Sequence, residues 1–94
     1  MEALQRAPNE PNAYFNCGDL LYRCQQYQDA AHLYESGLRL KPDFGAGWMM
    51  LGNCLVQLSL LDGAKIAYAE ALRFDPTLTD AAHNLKAIES PIAA

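Results

Sequence analysis

The sequence has little of what marks a membrane, exported or nucleic-acid-binding protein. No apolar run approaches the roughly 20 residues that a membrane-spanning helix requires, and the first residues, MEALQRAPNEP, do not form a signal peptide. Lys and Arg number 7 against 11 Asp and Glu, which gives a net charge of −4. Proteins that bind nucleic acid cluster basic residues on one face. We therefore expect a cytoplasmic protein with no membrane insertion and no nucleic-acid partner.

Cysteine is also scarce, and its number is odd. Cys17, Cys24 and Cys54 lie inside patterns typical of helices. The odd count argues against a complete disulfide framework. We expect reduced thiols that serve as small core residues.

No catalytic or metal-binding constellation stands out. Asp29, His32 and Ser36 fall on one face of one helix, but nothing at this spacing provides a pocket or an oxyanion hole. His32 and His83 lie too far apart for a local metal motif, and there is no C-x-x-C. The sequence predicts a protein that is not an enzyme and that uses no cofactor or metal.

What the sequence does contain is an internal repeat, which is the first feature to look for in a chain, and its period is about 34 residues. Small, aromatic and helix-breaking residues recur together. Trp48, Gly52, Leu55, Ala64, Tyr68, Leu72 and Pro76 each stand one period after Tyr14, Gly18, Leu21, Ala30, Tyr34, Leu38 and Pro42.

Apolar residues at helical spacing predict an all-α fold. Asn12 and Asp62 are the expected N-caps of two helices. The predicted helices cover about 12 to 25 or 26, 28–40, 45–58, 62–74 and 80–89. The expected organisation is a single domain 1–94, with 1–8 as the remnant of a preceding helix, repeat 1 at 11–44, repeat 2 at 45–78 and a C-terminal capping helix at 79–90. A genuine start at Met1 is the alternative for the first segment.

Glycine inside a helix costs about 1 kcal/mol relative to alanine, so Gly18 and Gly52 require a compensating role. We expect a close approach of the paired helix at each glycine. Tyr34 and Tyr68 then pack back on the first helix of their own pair, and Trp48 packs against the preceding pair.

The pattern Trp48-x2-Leu51-Gly52-x2-Leu55, Ala64-x3-Tyr68, Pro76 resembles the tetratricopeptide repeat, which has the same period. A weaker copy begins at Tyr14. The resemblance implies an α-α superhelix of antiparallel helix pairs, that is, a solenoid fragment. Leu21 and Leu55 depart from it by replacing the usual tyrosine, and Lys86 stands where a glycine would be.

In this family the first helices of successive pairs line a concave groove. The resemblance places two sets of residues there. The first set shares one face of the first helices: Asn12, Phe15, Asp19, Tyr22, Arg23, Ala46, Met49, Asn53, Val56, Gln57, Asp80, His83 and Ala87. The second set, Asn16 and Asn84, resembles the asparagine ladder of long sugar-transferase superhelices, which Met50 interrupts.

The groove composition predicts a ligand. Phe15, Tyr22, Met49 and Val56 are apolar where a solvated face would be charged, and amides such as Asn53 could bond to a guest backbone. The alternative is that these apolar residues are covered by neighbouring repeats or by another copy of the chain. A peptide or amphipathic helix of a partner protein is the favoured ligand.

One subclass of the family holds chaperone carboxylates with basic groove residues. Phe15, Ala46 and Met50 occupy those positions here, with Arg23 the remaining cation nearby, so a two-carboxylate clamp is disfavoured. The predicted function is a non-catalytic protein-protein interaction module of scaffold or co-chaperone type. The alternative is a structural repeat unit that forms homo-oligomers through its exposed repeat ends.

Overall fold

The computed structural model describes residues 9–89, and within this range the backbone forms five α-helices and no strand. The helices are α1 Pro11–Arg23, α2 Tyr27–Leu40, α3 Gly45–Gln57, α4 Leu61–Phe74 and α5 Thr79–Glu89. Each helix packs against the next along the chain. The all-α prediction of stacked helix pairs is confirmed. The predicted remnant helix at 1–8 and the last residue of the predicted capping helix lie outside the described residues.

Across residues 9–89, the helices are too short or too polar to cross a bilayer.

α1 and α3, which are the first helices of the two helix pairs, end in the same way. Gln25 and Ser59 have φ values of 63° and 62°, which places each in the left-handed region just after the helix. Two backbone hydrogen bonds of 2.8 Å close these ends, from Gln26 N–H to the Leu21 carbonyl and from Leu60 N–H to the Leu55 carbonyl. This is the Schellman arrangement, and it turns the chain sharply into the second helix of each pair.

The predicted N-caps are wrong by two positions. Glu10 occupies the cap position of α1 and Leu60 that of α4. Pro11 is the first helical residue, where its missing N–H costs nothing and its fixed φ suits the helix. Asn12 therefore lies inside the first turn. Asp62 also lies in the first turn of its helix, where its charge still favours the positive end of the helix dipole.

Close contacts at two glycines hold each helix pair together. A Cβ atom at Gly18 would lie 2.9 Å from Tyr34 Cε1, and one at Gly52 would lie 2.8 Å from Tyr68 Cε1. Both tyrosine side chains are 1% exposed. The rings therefore occupy the space that a larger residue would need, which confirms the predicted close approach.

Buried side chains form two adjoining clusters, one centred on Tyr34 and the other on Tyr68. Trp48 packs against both clusters, and its indole N–H donates to the Pro42 carbonyl at 2.8 Å. Trp48 thus joins the two helix pairs.

The three thiols are free, and two of them behave as predicted. Cys17 and Cys54 are buried, whereas Cys24 is exposed. The expectation of a core role is wrong for Cys24 because α1 ends at Arg23 and Cys24 is its C-cap residue.

Candidate functional site

Two neighbouring clefts lie on one side of the helices α1, α3 and α5. The first cleft has a volume of about 170 Å³ and is lined by Asn12, Phe15, Asn16, Asp19, Tyr34, Phe44, Ala46, Gly47 and Met50. The second cleft has a volume of about 370 Å³ and is lined by Tyr22, Asn53, Val56, Gln57, Tyr68, Asn84, Ala87 and Ile88. Both clefts draw on the first helices, which the sequence predicts to line the groove.

A hydrogen-bonded amide forms the floor of the second cleft. Asn53 Oδ1 accepts from the Tyr68 hydroxyl at 2.5 Å and from Asn84 Nδ2 at 3.2 Å. Asn53 Nδ2 lies 3.6 Å from the Met50 sulfur, a weak acceptor. The Asn53 side chain is therefore fixed by residues of three helices, and its carbonyl oxygen is already used.

The first cleft has a carboxylate at the equivalent position. Asp19 Oδ1 accepts from the Tyr34 hydroxyl at 2.5 Å, as Asn53 does from Tyr68 in the next repeat. Met50 stands one period before Asn84, and its side chain has no donor. The floor of the first cleft therefore has one donor where the floor of the second has two.

Both buried tyrosines remain protonated donors at neutral pH. Burial raises the pKa of Tyr34 above its ordinary value of 10.0, and the hydrogen bond to Asp19 and the charge of that carboxylate raise it further. Burial also raises the pKa of Tyr68, with Asn84 acting in the opposite direction. The pKa of Tyr22 is also raised, and burial is the largest cause. The two floor hydroxyls thus hold Asp19 and Asn53 in place.

Most of the predicted peptide-binding residues lie together, in two groups. Those in the first cleft are Asn12, Phe15, Asn16 and Asp19. Those in the second cleft are Tyr22, Asn53, Val56, Gln57 and Asn84. Arg23, Met49 and His83 line neither cleft, and Arg23 and His83 are exposed.

Phe15 differs from the other predicted residues in its burial. Its side chain is only 6% exposed, and its ring lies 4.8 Å from that of Phe44, measured between centroids. A Cβ atom at Gly37 would lie 2.6 Å from Phe15 Cε1, so the ring fills the space above that glycine. Phe15 forms a wall of the first cleft and packs the core at the same time.

The predicted groove residues leave out six residues that line the clefts: Tyr34, Phe44, Gly47, Met50, Tyr68 and Ile88. A signal existed for Met50, because it occupies the same repeat position as Asn16 and Asn84. Its neighbour Met49 instead packs, partly buried, against the cluster of Tyr68.

A further cleft of about 300 Å³ lies on the opposite side of α3. Its lining combines α2 and α3 residues: Glu35, Leu38, Arg39, Trp48 and Leu51. Successive helical residues are turned by about 100°, so Trp48 and Leu51 point away from the side that carries Asn53.

The part of the chain that the structure describes contains no group of three or more His, Cys, Asp or Glu side chains placed to hold a metal.

Comparisons with known proteins agree with the period of the repeat. The family described as tetratricopeptide repeat matches residues 16–79. The chain belongs to the tetratricopeptide repeat family, whose domains are generally non-catalytic interaction modules.

Three relatives illustrate how widely this domain occurs. The chain is 31% identical over 84 residues to the human protein O-mannosyl-transferase TMTC3, covering 88% of the chain and 9% of that protein. It is 32% identical over 69 residues to the mouse BBSome complex member BBS4, covering 73% and 13%. It is 35% identical over 66 residues to the heat shock protein sti1 homolog of Schizosaccharomyces pombe, covering 70% and 11%. The chain thus spans about a tenth of the length of these relatives.

A solved structure shares the fold. The first tetratricopeptide domain of Spaghetti (RPAP3), solved bound to the HSP90 peptide SRMEEVD, superposes with a TM-score of 0.91 at 20% identity, covering 97% of this chain and 72% of that one. The two chains therefore share one helical fold.

Proposed function

We propose that the chain is a non-catalytic module that binds a segment of a partner protein, an extended apolar peptide or an amphipathic helix, in the two clefts. The observation that carries this proposal is the position of both clefts on one side of the first helices. Concave sites of this kind combine apolar walls with a few convergent polar groups. Tyr22, Val56 and Ile88 supply the walls of the second cleft, and Asn53 and Asn84 supply the polar groups.

The partner that we propose is a protein, not a nucleic acid or a membrane. The net charge is −4, and neither cleft has Lys or Arg among its described lining residues. Binding to a phosphate backbone depends on such cations. A role in a scaffold or co-chaperone complex of the cytoplasm suits this chemistry, and the relatives in complexes and chaperone systems support it.

A random-peptide phage library selected on the immobilised chain tests the proposal. We expect enrichment of peptides with apolar residues. Tyr22→Glu should reduce their affinity at least tenfold, because it places a charge in the wall of the second cleft. Fluorescence anisotropy of a labelled selected peptide measures this loss, and circular dichroism checks the helix content.

Ile66→Glu is the matched control. Ile66 is 65% exposed on α4 and lines none of the three clefts, so the same kind of substitution should leave peptide affinity unchanged. Equal affinity of the wild-type chain and Tyr22→Glu for every selected peptide would contradict the groove assignment.

The peptide SRMEEVD is an informative probe because the structural neighbour binds it. We expect it to bind about tenfold more weakly than the selected peptides, since neither cleft presents a cation to its two glutamates and its C-terminal aspartate. Tight binding of SRMEEVD would shift the proposed ligand from apolar segments to chaperone tails.

Self-assembly is a second candidate function, favoured by the exposure of Leu20. This α1 side chain is 56% exposed, whereas its counterpart one period later, Cys54, is 0% exposed because α3 is covered on that side. A second copy that covers α1 would bury Leu20. Light scattering over a concentration series tests this, and a strict monomer would exclude it.

A further inference from the structure

The first cleft contains a carboxylate that lacks one of its expected donors. In repeat 2, Asn53 Oδ1 receives hydrogen bonds from Tyr68 and Asn84. In repeat 1, Asp19 receives one from Tyr34. The thioether of Met50 occupies the position of the missing amide and cannot donate.

The described part of the protein does not neutralise this carboxylate. Within residues 9–89 the ion pair found joins Arg73 to Glu70 on α4, at 3.1 Å. Arg23 lies one turn along α1 from Asp19, but it is exposed and lines neither cleft. The charged side chain that faces the first cleft is thus Asp19 itself, with the amides of Asn12 and Asn16 beside it.

We propose that the first cleft selects a Lys or Arg side chain of the partner segment, whose cationic head donates to Asp19 while an adjacent apolar residue fills the second cleft. This inference rests on the proposed function. Charge-assisted hydrogen bonds are about twice as strong as neutral ones. The methylene stem of the guest residue would pack on Met50 and Phe44, as long basic side chains do on apolar surfaces.

The two clefts are close enough for one short segment to reach both. Asp19 and Tyr22 are three positions apart on α1, which corresponds to about 4.5 Å along the helix axis. Extended chain advances by about 3.3 Å per residue. The ligand class is therefore a basic residue close in sequence to an apolar one.

Parallel selection of one random-peptide phage library on the wild-type chain and on Asp19→Asn tests the inference. The asparagine keeps an amide oxygen that can accept from Tyr34, as Asn53 does from Tyr68, so the fold should be retained. We expect the wild-type chain to enrich peptides in which Lys or Arg adjoins an apolar residue, and Asp19→Asn to lose that enrichment.

The best wild-type peptide is then synthesised with a fluorescent label, together with a version whose basic residue is glutamine. Asp19→Asn should weaken the basic peptide by about tenfold or more, and the glutamine peptide by less than about twofold. Asp43→Asn removes the same charge from an exposed turn and should leave both affinities unchanged.

The outcomes separate this inference from the proposed function. If Asp19→Asn binds the basic peptide as tightly as the wild-type chain, or if selected peptides are apolar without basic enrichment, the inference is wrong. The groove assignment then still stands, provided that Tyr22→Glu abolishes binding. A wild-type chain that enriches no peptide overturns both.

Discussion

The two predicted repeats, 11–44 and 45–78, share their packing and differ in the side chains that line the clefts. In each repeat a glycine of the first helix meets the ring of a buried tyrosine, at Gly18 with Tyr34 and at Gly52 with Tyr68. Both tyrosines then donate to a side-chain oxygen at 2.5 Å. Repeat 1 offers a carboxylate there and repeat 2 an amide. Packing positions are thus kept while the cleft chemistry changes.

Position in the repeat alone does not determine exposure. Leu20 is 56% exposed and its counterpart Cys54 is 0% exposed. α3 packs against both α2 and α4, whereas among the described helices α1 packs mainly against α2 and contacts α3 at Phe15 and Gly47. The burial of a side chain therefore depends on which helices pack on either side of its own helix.

Substitution of the two glycines should disrupt the packing that both repeats share. We expect this change to have the largest effect on the free energy of unfolding. Gly18→Ala and Gly52→Ala should each lower the free energy of unfolding by about 1–3 kcal/mol, because the new methyl group overlaps a buried ring. Urea denaturation measures both values.

Gly63→Ala is the control for these substitutions. Its Cβ atom would lie 3.3 Å from Leu55 Cδ1, the end of a flexible side chain. Alanine favours helix over glycine, so we expect no loss, or a gain of up to about 1 kcal/mol. A large loss at one of Gly18 and Gly52 without a similar loss at the other would end the equivalence of the repeats.

The burial of Cys54, which distinguishes it from Leu20 at the same repeat position, can be tested at alkaline pH. Burial raises the pKa of the Cys54 thiol from 9.0 to about 12, and the Asp19 charge adds to this. Between these values the unfolded thiol has lost its proton while the folded thiol keeps it. The folded state then binds more protons, and the free energy of unfolding falls as pH rises, by about 1.4 kcal/mol per pH unit.

Urea denaturation between pH 8 and pH 10 checks this slope. Cys54→Ala should reduce it between pH 9 and pH 10, where the raised pKa values of Tyr34 and Tyr68 contribute a slope of the same sign, whereas Cys24→Ala, at an exposed thiol, should leave it unchanged. Identical slopes in both variants would show that Cys54 is not the group responsible.

We expect the smallest effect on the free energy of unfolding from a change in the hydrogen bonds at the cleft floors. Asn84→Met copies the arrangement of the first cleft into the second and removes the hydrogen bond to Asn53. We expect a loss of about 0.5–1.5 kcal/mol in the free energy of unfolding, measured in urea.

Asn16→Met makes the same change at the equivalent position of repeat 1. Asn16 is exposed and makes no side-chain hydrogen bond among the described residues, so the change should stay within about 0.5 kcal/mol. Equal losses at both positions would mean that the hydrogen bond between Asn84 and Asn53 contributes nothing specific.

The fold could be predicted because small and aromatic residues recur at the same positions in both repeats. Glycine opposite tyrosine, and proline after the second helix, leave little choice of helix pairing. The helix starts were harder to predict. Pro11 begins α1 itself, although a polar residue such as Asn12 is the usual signal for a cap.

The candidate site was predictable as a face but not as a set of contacts. Helical spacing places Asp19 and Tyr22 on one side of α1, and the structure then divides them between the first and the second cleft. It also groups Asn53 with Val56, which line the same cleft. It cannot decide which of Met49 and Met50 reaches a cleft, because that depends on how α3 is rotated against α1. Packing likewise determines that Phe15 is a buried wall and that Arg23 lines neither cleft.

Trp48 gives the protein its own optical reporter. It is the single tryptophan of the chain, and its indole lies at the contact between the two helix pairs, bonded to the Pro42 carbonyl. Its emission therefore follows the separation of the pairs without any attached dye. Because the ring faces the cleft on the far side of α3 from Asn53, a guest in the concave clefts would leave that emission largely unchanged. One spectrum can thus monitor unfolding while a labelled peptide monitors binding in the same cuvette.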